Sequence, residues 1–375
     1  MKNRILLASF TALTQAACGG GSAPAPAPAP LPAPVPAPVL KASSYANYKQ
    51  QGLQPHALPT GDNTMRAYAD FTGNGRLDLF RAVITYNAQR PQSEATPSRF
   101  EFYARQADGS YLKNTTLLAK PDGCLHPRKP IVADFNGDSR PDMFVACHGY
   151  DALPFPGERN KVVLSQADGS YVISDASPDI GFFHGASAVD LNGDGKIDVV
   201  AVNNFDPERA MIFLNDGSGH FTREMPSRLP VSIRNGGYFS VELLDINEDG
   251  KLDLIMGGHE FESANTVIFL NPGNNDFSKV AAIVVPPVPN EGVVLDFTVT
   301  GSGPTRTLWV ARTSGGDGTF YQSKVVQKVS YPAMSSSVVL NQRPARWIPW
   351  LIPATAAGVP VVASDNAQDA VSIPQ

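Results

Sequence analysis

From about residue 60 onward the chain alternates short apolar runs with polar turns. Met65 to Ala69, Ile131 to Ala133, Ala186 to Val189 and Phe239 to Leu244 each lead into a polar loop. A second apolar run follows each loop: Leu77 to Val83, Met143 to Cys147, Ile197 to Val202 and Leu252 to Met256. Runs this short, rich in Val, Leu and Phe and bounded by Gly, Asn and Asp, predict strands rather than helices. Further along come glycine turns at Asp108-Gly109, Asp168-Gly169, Asp216-Gly217, Pro272-Gly273 and Asp317-Gly318. Between β-type runs such turns mark hairpins. Each unit therefore reads strand, polar loop, strand, link, strand, glycine turn, strand.

The polar loop is itself a nine-residue repeat. Its copies are Asp70 to Asp78 (DFTGNGRLD), Asp134 to Asp142 (DFNGDSRPD), Asp190 to Asp198 (DLNGDGKID) and Asp245 to Asp253 (DINEDGKLD). A fifth unit is anchored at Asp296 (DFTVTGSGPTRT), without the later acidic positions. Successive anchors lie 64, 56, 55 and 51 residues apart. Four-stranded units at this period predict an all-β protein, a β-propeller of four-stranded blades. A sixth unit near Ile352 to Ser364 keeps two strands, and Ser44 to Gln50 could supply a strand to close the ring. The spacing favours six blades, with seven as the alternative.

Oxygen-bearing side chains recur at loop positions 1, 3, 5 and 9, and position 7 can add its backbone carbonyl. The predicted sets are Asp70, Thr72, Asn74, Arg76 and Asp78; Asp134, Asn136, Asp138, Arg140 and Asp142; Asp190, Asn192, Asp194, Lys196 and Asp198; and Asp245, Asn247, Asp249, Lys251 and Asp253. A hard cation such as Ca2+ takes ~6–8 oxygen ligands, which flexible carboxylate loops supply. Charge count ranks the third and fourth loops strongest and the first weakest. An EF-hand is excluded, because no Glu stands at position 12 and no helices flank. The competing reading is a set of turns whose Asp and Asn side chains bind backbone amides. It explains one loop more readily than four in one register.

Together the loops, flanking strands and Asp-Gly turns resemble the FG-GAP/VCBS repeats of bacterial surface proteins and integrin α-subunit propellers. The resemblance covers residues 60 to 330 well and 331 to 375 weakly. It implies a repeat propeller, in families that usually have seven blades.

The N-terminus changes the setting. Lys2 and Arg4 precede a short apolar stretch, Ile5 to Leu13, and then Ala16-Ala17-Cys18-Gly19. This resembles a bacterial lipoprotein signal over residues 1–17 with lipidation at Cys18, although Gln15 stands where such signals usually carry an apolar residue. Residues 18–42 are rich in alternating Ala and Pro, a semi-rigid polyproline stalk. The propeller would occupy residues 43–375, lipid-anchored in the bacterial envelope with the outer membrane favoured. Cys124 and Cys147 flank the second loop and in an oxidising compartment predict a disulfide. Net charge is −5 with 17 % charged residues, so no basic field invites nucleic acid. A monomer is expected.

Strand polarity places one more feature. If the acidic loops share one rim, the starts of first strands and the ends of second strands share the other. His126 and His184 precede first strands, His148 and His259 lie six residues after a position-9 aspartate, and Asn204 holds the same place in the third unit. Arg128, Tyr150, Asp151, Asp206, Arg234 and Tyr238 lie near in sequence. The candidate ligand face is therefore His126, His148, His184, Asn204, Arg234 and His259, built on loops as binding sites often are. Its expected partner is a glycan or a protein. The runner-up is lyase chemistry on an acidic polysaccharide through His, Arg and Tyr, and the third reading is a structural envelope protein. Trp309, Trp347 and Trp350 read as packing residues. No phosphate loop, nucleophile elbow or zinc-protease helix occurs.

Overall fold

The computed structural model describes residues 64–204, 209–225, 227–233, 236–345, 350–353, 360–363 and 371–372. Residues 1–63, which hold the signal, Cys18, the stalk and Ser44 to Gln50, lie outside this set, as do Asp206, Arg234 and Trp347.

Described residues form an all-β propeller of five four-stranded antiparallel blades. The first blade comprises Thr64–Ala69, Asp78–Val83, Arg99–Arg105 and Tyr111–Asn114. The second comprises Pro127–Ala133, Asp142–Cys147, Glu158–Ser165 and Tyr171–Gly181. The third comprises Phe183–Val189, Asp198–Asn203, Ala210–Asn215 and Phe221–Arg223. The fourth comprises Tyr238–Leu244, Asp253–Gly258, Val267–Phe269 and Ile283–Val284. The fifth comprises Val293–Thr300, Thr307–Thr313, Lys324–Ser330 and Ser336–Gln342. A three-stranded sheet follows: Trp350–Pro353, Pro360–Ala363 and Val371–Ser372. Complete blades among the described residues thus number five, not the six the spacing favours, and the last unit has three described strands rather than two.

First strands of successive blades pack side by side. The core is a series of layers between blades. Val132 joins Met65, Phe80 and Phe102 between the first and second blades. Its neighbour Ile131 joins Ala186, Val199 and Phe213 between the second and third. Adjacent residues point to opposite faces of a strand. Both faces are buried here, so the runs are apolar throughout and do not alternate.

Two sequence expectations shift. Asp296 lies within the first strand of the fifth blade, opposite Ala311, and does not open a loop. The connection there is Gly301 to Arg306, because Thr300 pairs with Thr307. Asp296 instead accepts the Leu351 amide at 2.7 Å, tying the fifth blade to the last sheet. The Asp317-Gly318 turn joins the second and third strands of its blade, not the third and fourth.

Cys124 and Cys147 form a disulfide. Cys147 ends the second strand of its blade, as expected. Cys124 precedes the first strand, and its carbonyl accepts the Ser98 amide of the first blade at 2.9 Å. The bridge therefore also pins the passage between two blades.

Candidate functional site

Each acidic loop joins the first two strands of a blade with the same register. The position-9 aspartates Asp78, Asp142, Asp198 and Asp253 pair with Ala69, Ala133, Val189 and Leu244, each just before position 1. Positions 4 and 6 take positive φ in all four loops, at Gly73 and Gly75, Gly137 and Ser139, Gly193 and Gly195, and Glu248 and Gly250. That left-handed backbone folds the loop over its position-1 carboxylate. Asp70, Asp134, Asp190 and Asp245 each accept a position-6 amide, at 2.7, 2.8, 2.9 and 3.0 Å. The position-9 carboxylates are buried and accept amides from the last residues of the third strands, Arg105, Ser165 and Asn215, and in the fourth blade from Asn271, two residues past its third strand. The amide-capped turn is thus part of every loop. An ionised carboxylate has about four lone-pair sites, so capping leaves oxygens for a cation.

The loops differ in what faces position 5. In the third, Lys196 Nζ lies 3.2 Å from Asp194 Oδ2. In the fourth, Lys251 Nζ lies 3.0 Å from Asp249 Oδ2. In the second, Arg140 turns away to the carbonyls of Gln166 and Gly169. Asp134, Asp138 and Asp142 there converge, each with an oxygen within 4.8 Å of the others. Ser165 Oγ donates toward Asp138 at 2.8 Å and Asp142 at 2.7 Å. These three carboxylates can hold a divalent cation. The sequence set this loop behind the third and fourth, which have the same three carboxylates, because Ser139 replaces a loop glycine; it could not show where each basic side chain points. In the first loop Thr72 Oγ1 donates to Asp78 at 2.7 Å. Burial pushes Asp198 and Asp253 up to about 6, with the neighbouring Asp194 and Asp249 charges adding to it.

The loops also fasten blades together. Every position-2 carbonyl receives a side chain from a later blade. Tyr171 Oη reaches Phe71 O at 3.3 Å, and Asn215 Nδ2 reaches Phe135 O at 2.9 Å. Asn275 Nδ2 reaches Leu191 O at 3.2 Å, and Arg306 Nε reaches Ile246 O at 3.2 Å.

At the other end of the strands lies a cavity of about 690 Å³. It gathers His126, His148, His184, Asn204 and His259, together with Arg128 and Asp151. Tyr150 and Tyr238 are buried elsewhere, and Arg234 lies outside the described residues. Tyr86, Tyr321, Phe182 and Phe239 also line it, unforeseen from the sequence. One signal was available: Ile84 lies six residues after Asp78, the place held by His148, Asn204 and His259, and it lines the cavity too.

The rings form a continuous string. Centroid separations run 4.7 Å from His126 to His148, 4.4 Å to His184, 4.0 Å to Phe239 and 4.2 Å to His259. Tyr86 Oη lies 2.7 Å from His126 Nδ1, and Arg128 Nη1 lies 3.4 Å from its Nε2. His259 bridges Glu262 at 2.9 Å and Tyr321 at 3.3 Å. Burial holds His126, His148 and His184 well below the ordinary imidazole value, and the Arg128 charge adds to this for all three. Burial also lowers His259, against the pull of Glu262, and pushes Tyr321 up to about 12. At neutral pH the cavity therefore presents neutral imidazoles, protonated phenols, the Arg128 guanidinium and the Asp151 carboxyl group. Such a set recognises hydroxyl-rich or anionic groups and can exchange protons.

Comparison with known proteins agrees with the repeat. An FG-GAP-like repeat family matches residues 134–201 and 190–256, beginning at position 1 of the second and third loops. The chain thus carries FG-GAP-like repeats within a β-propeller. A candidate 6-phosphogluconolactonase from Bacteroides fragilis is similar in fold, with a TM-score of 0.50 and 13% identity over 82% of this chain and 78% of that one. A structure described as an RGII complex aligns over 80% of this chain and 98% of its own, with 8% identity and a TM-score of 0.35. No curated protein matches the chain.

Proposed function

We propose that this protein is a calcium-stabilised propeller of the bacterial envelope that binds a glycan, without turnover, in the histidine-lined cavity. The cavity carries the reading: neutral imidazoles, phenols and aromatic rings surround Arg128 in a space large enough for a sugar residue. Asn204 lines the same cavity from the third blade and adds a side-chain amide to the set. The lipoprotein-like signal and Cys18 would anchor the chain, the Ala-Pro stalk would hold the propeller off the membrane, and calcium in the acidic loops would fix the blades.

The mature protein is tested against an array of neutral and acidic polysaccharides. Retention of one class, weakened tenfold or more by Arg128→Ala, is expected. Retention of none, or binding indifferent to Arg128→Ala and His148→Ala, refutes the reading.

A second reading has an observation of its own. The Tyr86 to His126 contact places a proton donor and acceptor beside Arg128, as β-elimination from a uronate would need. A lyase would release unsaturated products that absorb in the near ultraviolet, and His126→Ala would abolish them. If neither binding nor turnover is found, a structural envelope role remains.

A further inference from the structure

We propose that His126, His148 and Asp151 form a second metal site in the cavity wall, selective for a borderline transition-metal ion such as zinc. One ligand atom of each lies within 4.8 Å of the others. Each donor needs to move by under about 1 Å to reach bond lengths of ~2.0–2.2 Å.

The frame behind these donors is rigid. Pro127 pairs with Cys147, and the His148 amide donates to the His126 carbonyl at 2.9 Å, so the two histidines stand side by side. The Cys124–Cys147 disulfide lies directly behind them in sequence. Tyr86 supplies the outer contacts. Its hydroxyl meets His126 Nδ1 at 2.7 Å, which orients the ring. The same hydroxyl accepts the Asp151 amide at 3.2 Å. His148 Nε2 lies 3.9 Å from Asp151 Oδ1, with room between them for an ion.

Donor chemistry separates this site from the acidic loops. Those loops offer oxygen alone, the preference of calcium. Two imidazoles and a carboxylate favour zinc and its neighbours, and three protein ligands leave a position open to the cavity. Arg128 opposes the ion, because its Nη1 lies 3.4 Å from His126 Nε2. The guanidinium must turn aside, or pair with an anion held on the open position. Removing its charge therefore tightens the site.

Calorimetric titration of Zn2+ into the calcium-saturated full chain tests the proposal. One further equivalent is expected. Asp151→Asn and His148→Ala each weaken it tenfold or more, and Arg128→Gln strengthens it. The Asp151 side chain is 44% exposed, so the asparagine variant should keep the wild-type melting temperature in calcium. Absence of zinc uptake by the calcium-saturated protein, or uptake unchanged in Asp151→Asn, overturns the site. Glycan retention measured on zinc-free protein succeeds or fails independently.

Discussion

Lys129 Nζ sits 2.7 Å from Glu242 Oε1, joining the first strand of the second blade to that of the fourth. Both side chains are buried, and Ser187 of the intervening blade lies 3.5 Å from the other carboxylate oxygen. Desolvating two charges is costly, and removing one strands the other. Lys129→Ala or Glu242→Ala is expected to cost about 3–5 kcal/mol in chemical denaturation. The double variant Lys129→Met with Glu242→Leu should be near neutral. Losses that simply add would show that the pair is not coupled.

Calcium should raise the melting temperature, and Asp138→Ala should remove a larger share of that rise than Asp194→Ala. The reason is the converged second loop, set against the lysine on Asp194. Lys196→Ala should increase the calcium response of the third loop. A calorimetric melt that is the same in excess calcium and excess chelator would defeat the calcium assignment.

Ser139 takes φ 64° where three of the four loops have glycine. A side chain in this left-handed region costs roughly 1 kcal/mol. Ser139→Gly should therefore stabilise the protein by about that amount in a denaturant series. Glu248→Gly should gain less, because the Glu248 carboxylate accepts the Gly303 amide at 2.6 Å.

Acid should weaken the fold through the cavity. Burial depresses the folded-state values of His126, His148 and His184, while the unfolded chain protonates near ~6.5. The unfolded state therefore takes up more protons as pH falls below that value. The contribution is complete above ~6.5 and is lost on acidification. Replacing His184 with Gln should flatten the fall in melting temperature between about pH 7 and 5, and an unaltered slope would count against it.

Much of the blade was legible because the acidic loop marks a fixed register in each unit. The 1, 3, 5, 9 spacing located the first two strands of four blades, and their polarity brought His126, His148, His184, Asn204 and His259 to one end. It failed where the loop was lost. Asp296 imitated position 1 by residue type alone, and only strand pairing shows that Gly301 stands there. Tyr86 and Tyr321 escaped notice because they sit in links of irregular length, where no periodicity fixes a position. The rank of the loops turned on the rotamers of Arg140, Lys196 and Lys251, which charge counting does not see.

The side chains that clasp each position-2 carbonyl make every acidic loop a shared possession of two blades. Stability in such an array propagates as nearest-neighbour coupling, like spins along a line. Emptying one loop should then loosen not only its own hairpin but also the blade that grips it. The five blades would melt as one cooperative unit, and the position of a lesion along the chain would matter less than the number of clasps it opens.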